Sequence, residues 1–156
     1  MDQFSKLAKK YLDKGLIAGL EWEIRHFNKV LSKNVEGFSD IENKTILEPG
    51  QIYRIYSMTK PIVSVAAIRL IEACKLSLYS NIQDFIPSFK NLKILRPNGE
   101  LERLKRPINL ADLLTHTAGL SYNFNMGCSV AQFYQQENIL NDANISLEQI
   151  VEQLAT

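Results

Sequence analysis

At 156 residues, with 46% hydrophobic and 22% charged side chains, the chain has the size and composition of one soluble globular domain, which excludes a disordered or fibrous segment. Eighteen basic side chains against seventeen acidic ones leave a formal net charge of +1, so nothing electrostatic calls for nucleic acid or an acidic membrane surface. Cys74 and Cys128 stand in no metal-like spacing with His26 or His116 and read as free thiols, with no metal or organic cofactor implied.

Phe4, Leu7, Ala8, Tyr11 and Leu12 recur at i, i+3, i+4, i+7 and i+8, one apolar face of a surface helix ended by Gly15. The stretch from Met1 to Lys14 is charged and amphipathic and lacks the apolar run of a secretory leader, which points to a cytoplasmic protein. Leu20, Trp22, Ile24 and His26 then alternate with Glu21, Glu23 and Arg25, the period of a half-buried strand. A second strand is expected around Val30 to Phe38, joined through a tight turn in which Asn28 would tolerate the positive φ.

From Ser57 to Lys75 the chain is rich in Ile, Val, Ala and Leu on most sides and predicts a largely buried helix of about five turns. Pro61 falls in its first turn, where a missing N–H costs nothing. The run Ile62 to Ile68, broken by Ser64, is far short of the ~20 residues of a membrane span. Pro87, Pro97-Asn98-Gly99 and Pro107 divide the next stretch into loops with short elements between. Lys9-Lys10 and the basic residues from Arg103 to Arg106 read as solvated faces. Asn109 with Asp112 predicts a capped short helix, Leu110 to His116, stopped at Gly119. Ser146 with Gln149 is a capping box before Ile150, Val151 and Leu154, a helix that has barely begun at Thr156.

Ser57-Met58-Thr59-Lys60 is a Ser-x-x-Lys sequence at a helix start, a spacing that puts hydroxyl and amine on one face about a turn apart. A lysine amine in its neutral form can take the serine proton, and the acyl-enzyme that follows divides one hard step into two easier ones. The helix N-terminus would add free N–H groups and a positive dipole end facing the attacked carbonyl oxygen. With 11 Ser and 12 Lys in 156 residues, chance alone supplies about one such pair, an N-capping serine beside a solvated lysine. Its place between a predicted strand pair and a long apolar helix is what favours the nucleophile.

The stretch Tyr53-Arg54-Ile55-Tyr56-Ser57-Met58-Thr59-Lys60-Pro61-Ile62-Val63-Ser64-Val65-Ala66-Ala67 resembles the active-site helix of class C beta-lactamase-related serine hydrolases, a group of esterases, transesterases and D-alanyl-D-alanine carboxypeptidases. Downstream, Arg106-Pro107-Ile108-Asn109-Leu110-Ala111-Asp112-Leu113-Leu114-Thr115-His116-Thr117-Ala118-Gly119-Leu120 is similar to the family's second signature stretch. The resemblance implies an α+β (α/β sandwich) fold of the beta-lactamase/transpeptidase type. Of that fold, residues 1–156 would be the N-terminal portion of a single domain: the first helix, an antiparallel strand pair and part of the helical subdomain, with the C-terminal sheet strands missing.

By the same resemblance Ser57 is the nucleophile and Lys60 its partner, and the substrate is a small-molecule ester or amide, including beta-lactams. No nucleic acid or membrane partner is implied, and the oligomeric state is open. His116 belongs to a stretch that is a structural turn in the family. The family's Tyr-x-Asn has one literal match, Tyr79-Ser80-Asn81, but it comes directly after the nucleophile helix, where the resemblance calls for a loop. Tyr122-Asn123-Phe124-Asn125 is nearer the right region with the wrong spacing, and Tyr134 lacks the Asn. The family's tyrosine is therefore expected beyond Thr156, as is its Lys-Thr-Gly or His-x-Gly strand. Cys74 stands where the family often has a glycine ending the helix. The alternative is a non-catalytic fragment or pseudo-enzyme that keeps half of the fold as a binding piece.

Overall fold

The computed structural model describes residues 3–141 and 144–155, so Met1, Asp2 and Thr156 of the segments read above lie outside it. The described chain divides into two units, residues 1–56 and 57–156.

In the first unit, helix α1 (Gln3–Asp13) buries Ser5 and Ala8 while Phe4, Leu7 and Tyr11 stay about half exposed, so only part of the predicted apolar face is covered. Gly15, at φ 65°, ends it: its N–H bonds back to Leu12 O and that of Leu16 to Tyr11 O, at 2.9 and 3.1 Å, the paired bonds of a left-handed helix cap. Strands β1 (Gly19–His26) and β2 (Lys29–Asp40) pair antiparallel from Gly19 opposite Gly37 to His26 opposite Lys29. Leu20, Trp22 and Ile24 are half-buried as the alternation predicts; His26 at the strand end is exposed. Trp22 Nε1 donates to Ser32 Oγ at 2.9 Å, giving the indole its one required partner.

The turn differs from expectation. Phe27, not Asn28, takes the positive φ, 50°, because the two-residue connection places the left-handed residue first. Gly37 has a steric reason for its identity: a Cβ there would lie 2.4 Å from Ala18 O and 2.8 Å from Leu12 Cδ2, so the bare backbone lets α1 approach the sheet. A short third strand, β3 (Thr45–Ile46), pairs antiparallel with β2 and extends the predicted pair to three strands.

In the second unit, a 3₁₀ turn (Tyr56–Met58) leads into α2 (Thr59–Glu72). The expectation of a largely buried helix is wrong for the described residues. No residue of α2 is buried; Ile62 and Val65 are each 61% exposed. Apolar composition reports what a helix would prefer to cover, not what covers it. Beyond it run the hairpin β4 (Lys93–Leu95) and β5 (Leu101–Arg103), whose turn carries Pro97-Asn98-Gly99, then α3 (Leu110–Leu114), α4 (Ser129–Gln136) and α5 (Leu147–Gln153). The unit's core is Ile82, Phe89 and Ile108, with Leu104, Leu113, Ala118, Val151 and Leu154 packed around it. Each such large apolar side chain contributes ~1.5–3 kcal/mol when fully withdrawn from water. The capping boxes predicted at Asn109/Asp112 and Ser146/Gln149 are both present.

Three further helices end in the left-handed cap that Gly15 forms, with a non-glycine residue in the glycine position. They are Cys74 (φ 55°) after α2, His116 (φ 58°) after α3 and Asn138 (φ 57°) after α4. At Cys74 the bonds are Cys74 N to Ile71 O and Lys75 N to Leu70 O, both 2.9 Å. A side chain in this region costs ~1–2 kcal/mol, and the Cys74 side chain is exposed. Cys74→Gly is therefore expected to raise the denaturation midpoint, by about 1 kcal/mol of stability after the glycine's greater chain entropy is counted. Cys74→Ala, which keeps the strain, is expected to leave the midpoint in urea nearly unchanged.

Candidate active site

Ser57 lies at the centre of the 3₁₀ turn and Lys60 in the first turn of α2. Lys60 Nζ donates to Ser57 Oγ at 3.1 Å. This is the contact that the i, i+3 spacing predicts, and it puts the amine where it can take the hydroxyl proton.

The bland account of the serine does not fit. The N-cap of α2 is Met58, in helical conformation, with no side-chain cap, so Ser57 does not close the helix end. With no capping side chain and no acidic residue in the first turn, the positive dipole end of α2 lies next to Ser57 in sequence without a compensating carboxylate. Pro61 occupies the third helical position, one whose N–H an α-helix leaves unpaired anyway. Both Ser57 and Lys60 are exposed among the described residues. Immediately before Ser57, Tyr56 sits at φ 44°, a left-handed conformation that is uncommon outside glycine.

The second signature stretch proves to be scaffold. Asp112 accepts from Arg106 Nη1 and Nη2 at 2.6 and 2.8 Å and from Asn109 N at 2.9 Å, while Asn109 Oδ1 accepts from Asp112 N at 3.0 Å. The Arg106 guanidinium, with the Asn109 amide behind it, holds the Asp112 carboxyl down to about 2. A depressed carboxyl stabilises the fold above its ordinary value of about 3.9 and stops doing so as pH falls through the folded value. An acid-unfolding limb between about pH 4 and 2 is therefore expected, and Asp112→Asn should flatten it, as followed by circular dichroism.

His116 serves in this stretch as the left-handed residue that ends α3. Its N–H bonds to Leu113 O, and that of Thr117 to Asp112 O at 2.8 Å. The helix thus ends at Leu114, two residues short of the expected Leu110 to His116, and the left-handed stop falls at His116 rather than Gly119. Ala118 then enters the core and Gly119, at φ 81°, releases the chain into the loop 120–127.

Tyr79 is 79% exposed, on a turn in which Ser77 N donates to Ser80 Oγ at 2.9 Å and Leu110 N to Ser80 O at 3.0 Å. The Tyr-Ser-Asn match is thus a piece of loop docking. Sequence reasoning set Tyr122 aside, yet its ring lies against the site, with the centroid 5.6 Å from Lys60 Nζ. Spacing rules for a Tyr-x-Asn could not find it, because the contact uses the ring face.

A cavity of about 270 Å3 behind this loop is lined by Ala118, Gly119 and Leu120 together with Val130, Phe133 and Tyr134, and includes neither Ser57 nor Lys60. Cys74 and Cys128 are free thiols. Among the described residues no three His, Cys, Asp or Glu side chains cluster to hold a metal, and no helix is long and apolar enough to cross a membrane.

The family model described as Beta-lactamase matches residues 4–156. Protein Rv1367c of Mycobacterium tuberculosis is 33% identical over 132 residues, 82% of this chain and 33% of that protein. Esterase EstB of Burkholderia gladioli is 30% identical over 111 residues, 70% of this chain and 26% of its own length. Among solved structures, EstCE1, a hydrolase with promiscuous acyltransferase activity, is similar with a TM-score of 0.80 and 28% identity, over 97% of this chain and 38% of that one. The chain therefore spans about a quarter to two fifths of the length of these relatives.

Proposed function

The chain belongs to the beta-lactamase family, with its fold of helices and antiparallel strands, and from that membership we propose that it carries the nucleophile of a serine hydrolase acting on ester or amide carbonyls. The observation that carries the reading is the 3.1 Å bond between Lys60 Nζ and Ser57 Oγ at the uncapped start of α2. In the reaction, Ser57 Oγ attacks the carbonyl carbon as its proton passes to Lys60. The bond to the alkoxy or amine group then breaks and Lys60 returns the proton to that leaving group. Water, giving a proton to the same amine, attacks the acyl ester, releases the acid and restores the serine. The backbone N–H groups that open α2 would favour the negative oxygen of each tetrahedral intermediate.

Esters are the first substrate class, because two of the similar proteins are an esterase and a hydrolase with acyltransferase activity. Beta-lactams are the second. Incubation with a p-nitrophenyl ester and with nitrocefin separates them: the ester should turn over faster and leave, when quenched, an acyl adduct on the peptide containing Ser57. An adduct elsewhere, or none, would sink the reading.

One observation favours a second reading, a non-catalytic binding piece: α2 presents Ile62, Val63 and Val65 to solvent. A chain that binds a partner and never acylates would support it.

A further inference from the structure

We infer that Tyr122 is a positioning residue for Lys60, holding the amine against its ring face within hydrogen-bonding reach of Ser57; this rests on the Ser57–Lys60 reading above. Lys60 is exposed and ends a flexible four-carbon stem, so a single hydrogen bond to a serine leaves its head group many alternatives in water. The Tyr122 ring supplies the missing constraint. Its centroid is 5.6 Å from Nζ, inside the range in which a ring face attracts an ammonium, the form Lys60 takes as it accepts the serine proton.

The ring itself is fixed. Tyr122 stacks on Phe124 with centroids 4.9 Å apart and planes 16° from parallel. Asn125 N donates to Tyr122 O at 3.1 Å. Between the two aromatics, Asn123 Nδ2 donates to Leu140 O at 3.1 Å and to Asn141 Oδ1 at 2.6 Å, and Gln135 Nε2 on α4 donates to Asn123 O. The loop is thus bolted to α4 and the segment after it. On its other side it emerges from Ala118 in the core, so the Arg106–Asp112 scaffold delivers an aromatic face to the nucleophile's partner.

The role belongs to the ring, not to the phenol. A proton-sharing tyrosine would be lost in Tyr122→Phe, whereas a ring-face contact survives it. The test uses Tyr122→Leu, Tyr122→Phe and Tyr122→Trp, with two readouts. In the NMR spectrum, the Lys60 Hε protons should be displaced upfield by the ring current in the wild type and in the Phe and Trp variants, and return to their ordinary position in Tyr122→Leu. In kinetics, labelling of Ser57 by an alkyl fluorophosphonate should slow roughly two- to fivefold in Tyr122→Leu alone. The loss should appear in kcat for a small ester, with KM unchanged.

Leu labelling as fast as the wild type, or Phe as slow as Leu, overturns the inference, as does a wild type without the displaced protons. A wild type that shows the displacement but never labels overturns the acyl-enzyme reading and upholds the Tyr122–Lys60 contact.

Discussion

Ser57→Ala is expected to abolish labelling by fluorophosphonates and to lower ester turnover on the order of 10³-fold or more, because the atom that forms the covalent bond is gone. What remains is the modest help that binding and the α2 dipole give to attack by water. Stability separates this result from mere damage. Were Ser57 the N-cap of α2, its removal would cost ~1 kcal/mol. Met58 holds that position and the serine is exposed, so the variant should unfold within about 0.5 kcal/mol of the wild type. A Ser57→Ala chain that still labels at the wild-type rate would place the nucleophile elsewhere, whatever the family.

The parts of the fold that were legible in the sequence are those with a local physical cause. The alternation from Leu20 to Ile24 made β1, and the reciprocal side-chain bonds at Asn109/Asp112 and Ser146/Gln149 made two helix starts. Ser57 and Lys60 meet because three residues of helix bring them together, a distance the sequence alone determines.

Elements without such a signal were missed. Helix α4 opens on Cys128, which offers no capping oxygen, and β4 and β5 are three residues each, too short for alternation to show. The left-handed caps at Cys74, His116 and Asn138 carry no glycine to announce them. For His116, a residue that invites a Ser-His reading, the backbone is what ends a helix. The burial of α2 was overstated because its composition is apolar on most sides, and composition is silent on neighbours. Tyr122 was hidden for a similar reason. It reaches Lys60 through a loop whose course depends on Gly119, Asn123 and α4, none of which a spacing rule describes.

Lys60 gives the second large expectation. Lys60→Ala should slow acylation by roughly 10²–10⁴-fold, the usual share of a positioned proton acceptor. The more telling variant is Lys60→Arg. Arginine keeps the positive charge and can reach the serine, but its guanidinium does not give up a proton in proteins. If Lys60 works as a base, Lys60→Arg should be as slow as Lys60→Ala; recovery to within about tenfold of the wild type would show that charge alone suffices. In the Ser57→Ala background, removing Lys60 should cost nothing more, since the two act as one unit.

Stability should hardly move. Lys60 places a cation in the first turn of α2, which holds no acidic residue, and there the helix dipole opposes positive charge. Lys60→Ala relieves that opposition and loses the Tyr122 ring contact, two terms of similar size, and is therefore expected to leave the denaturation midpoint nearly unchanged while activity collapses. A cation kept where the helix disfavours it, 3.1 Å from a serine that caps nothing, gains in return only the Tyr122 ring contact. If Lys60→Ala instead unfolds the chain, the lysine is a structural residue and the acyl-enzyme loses its base.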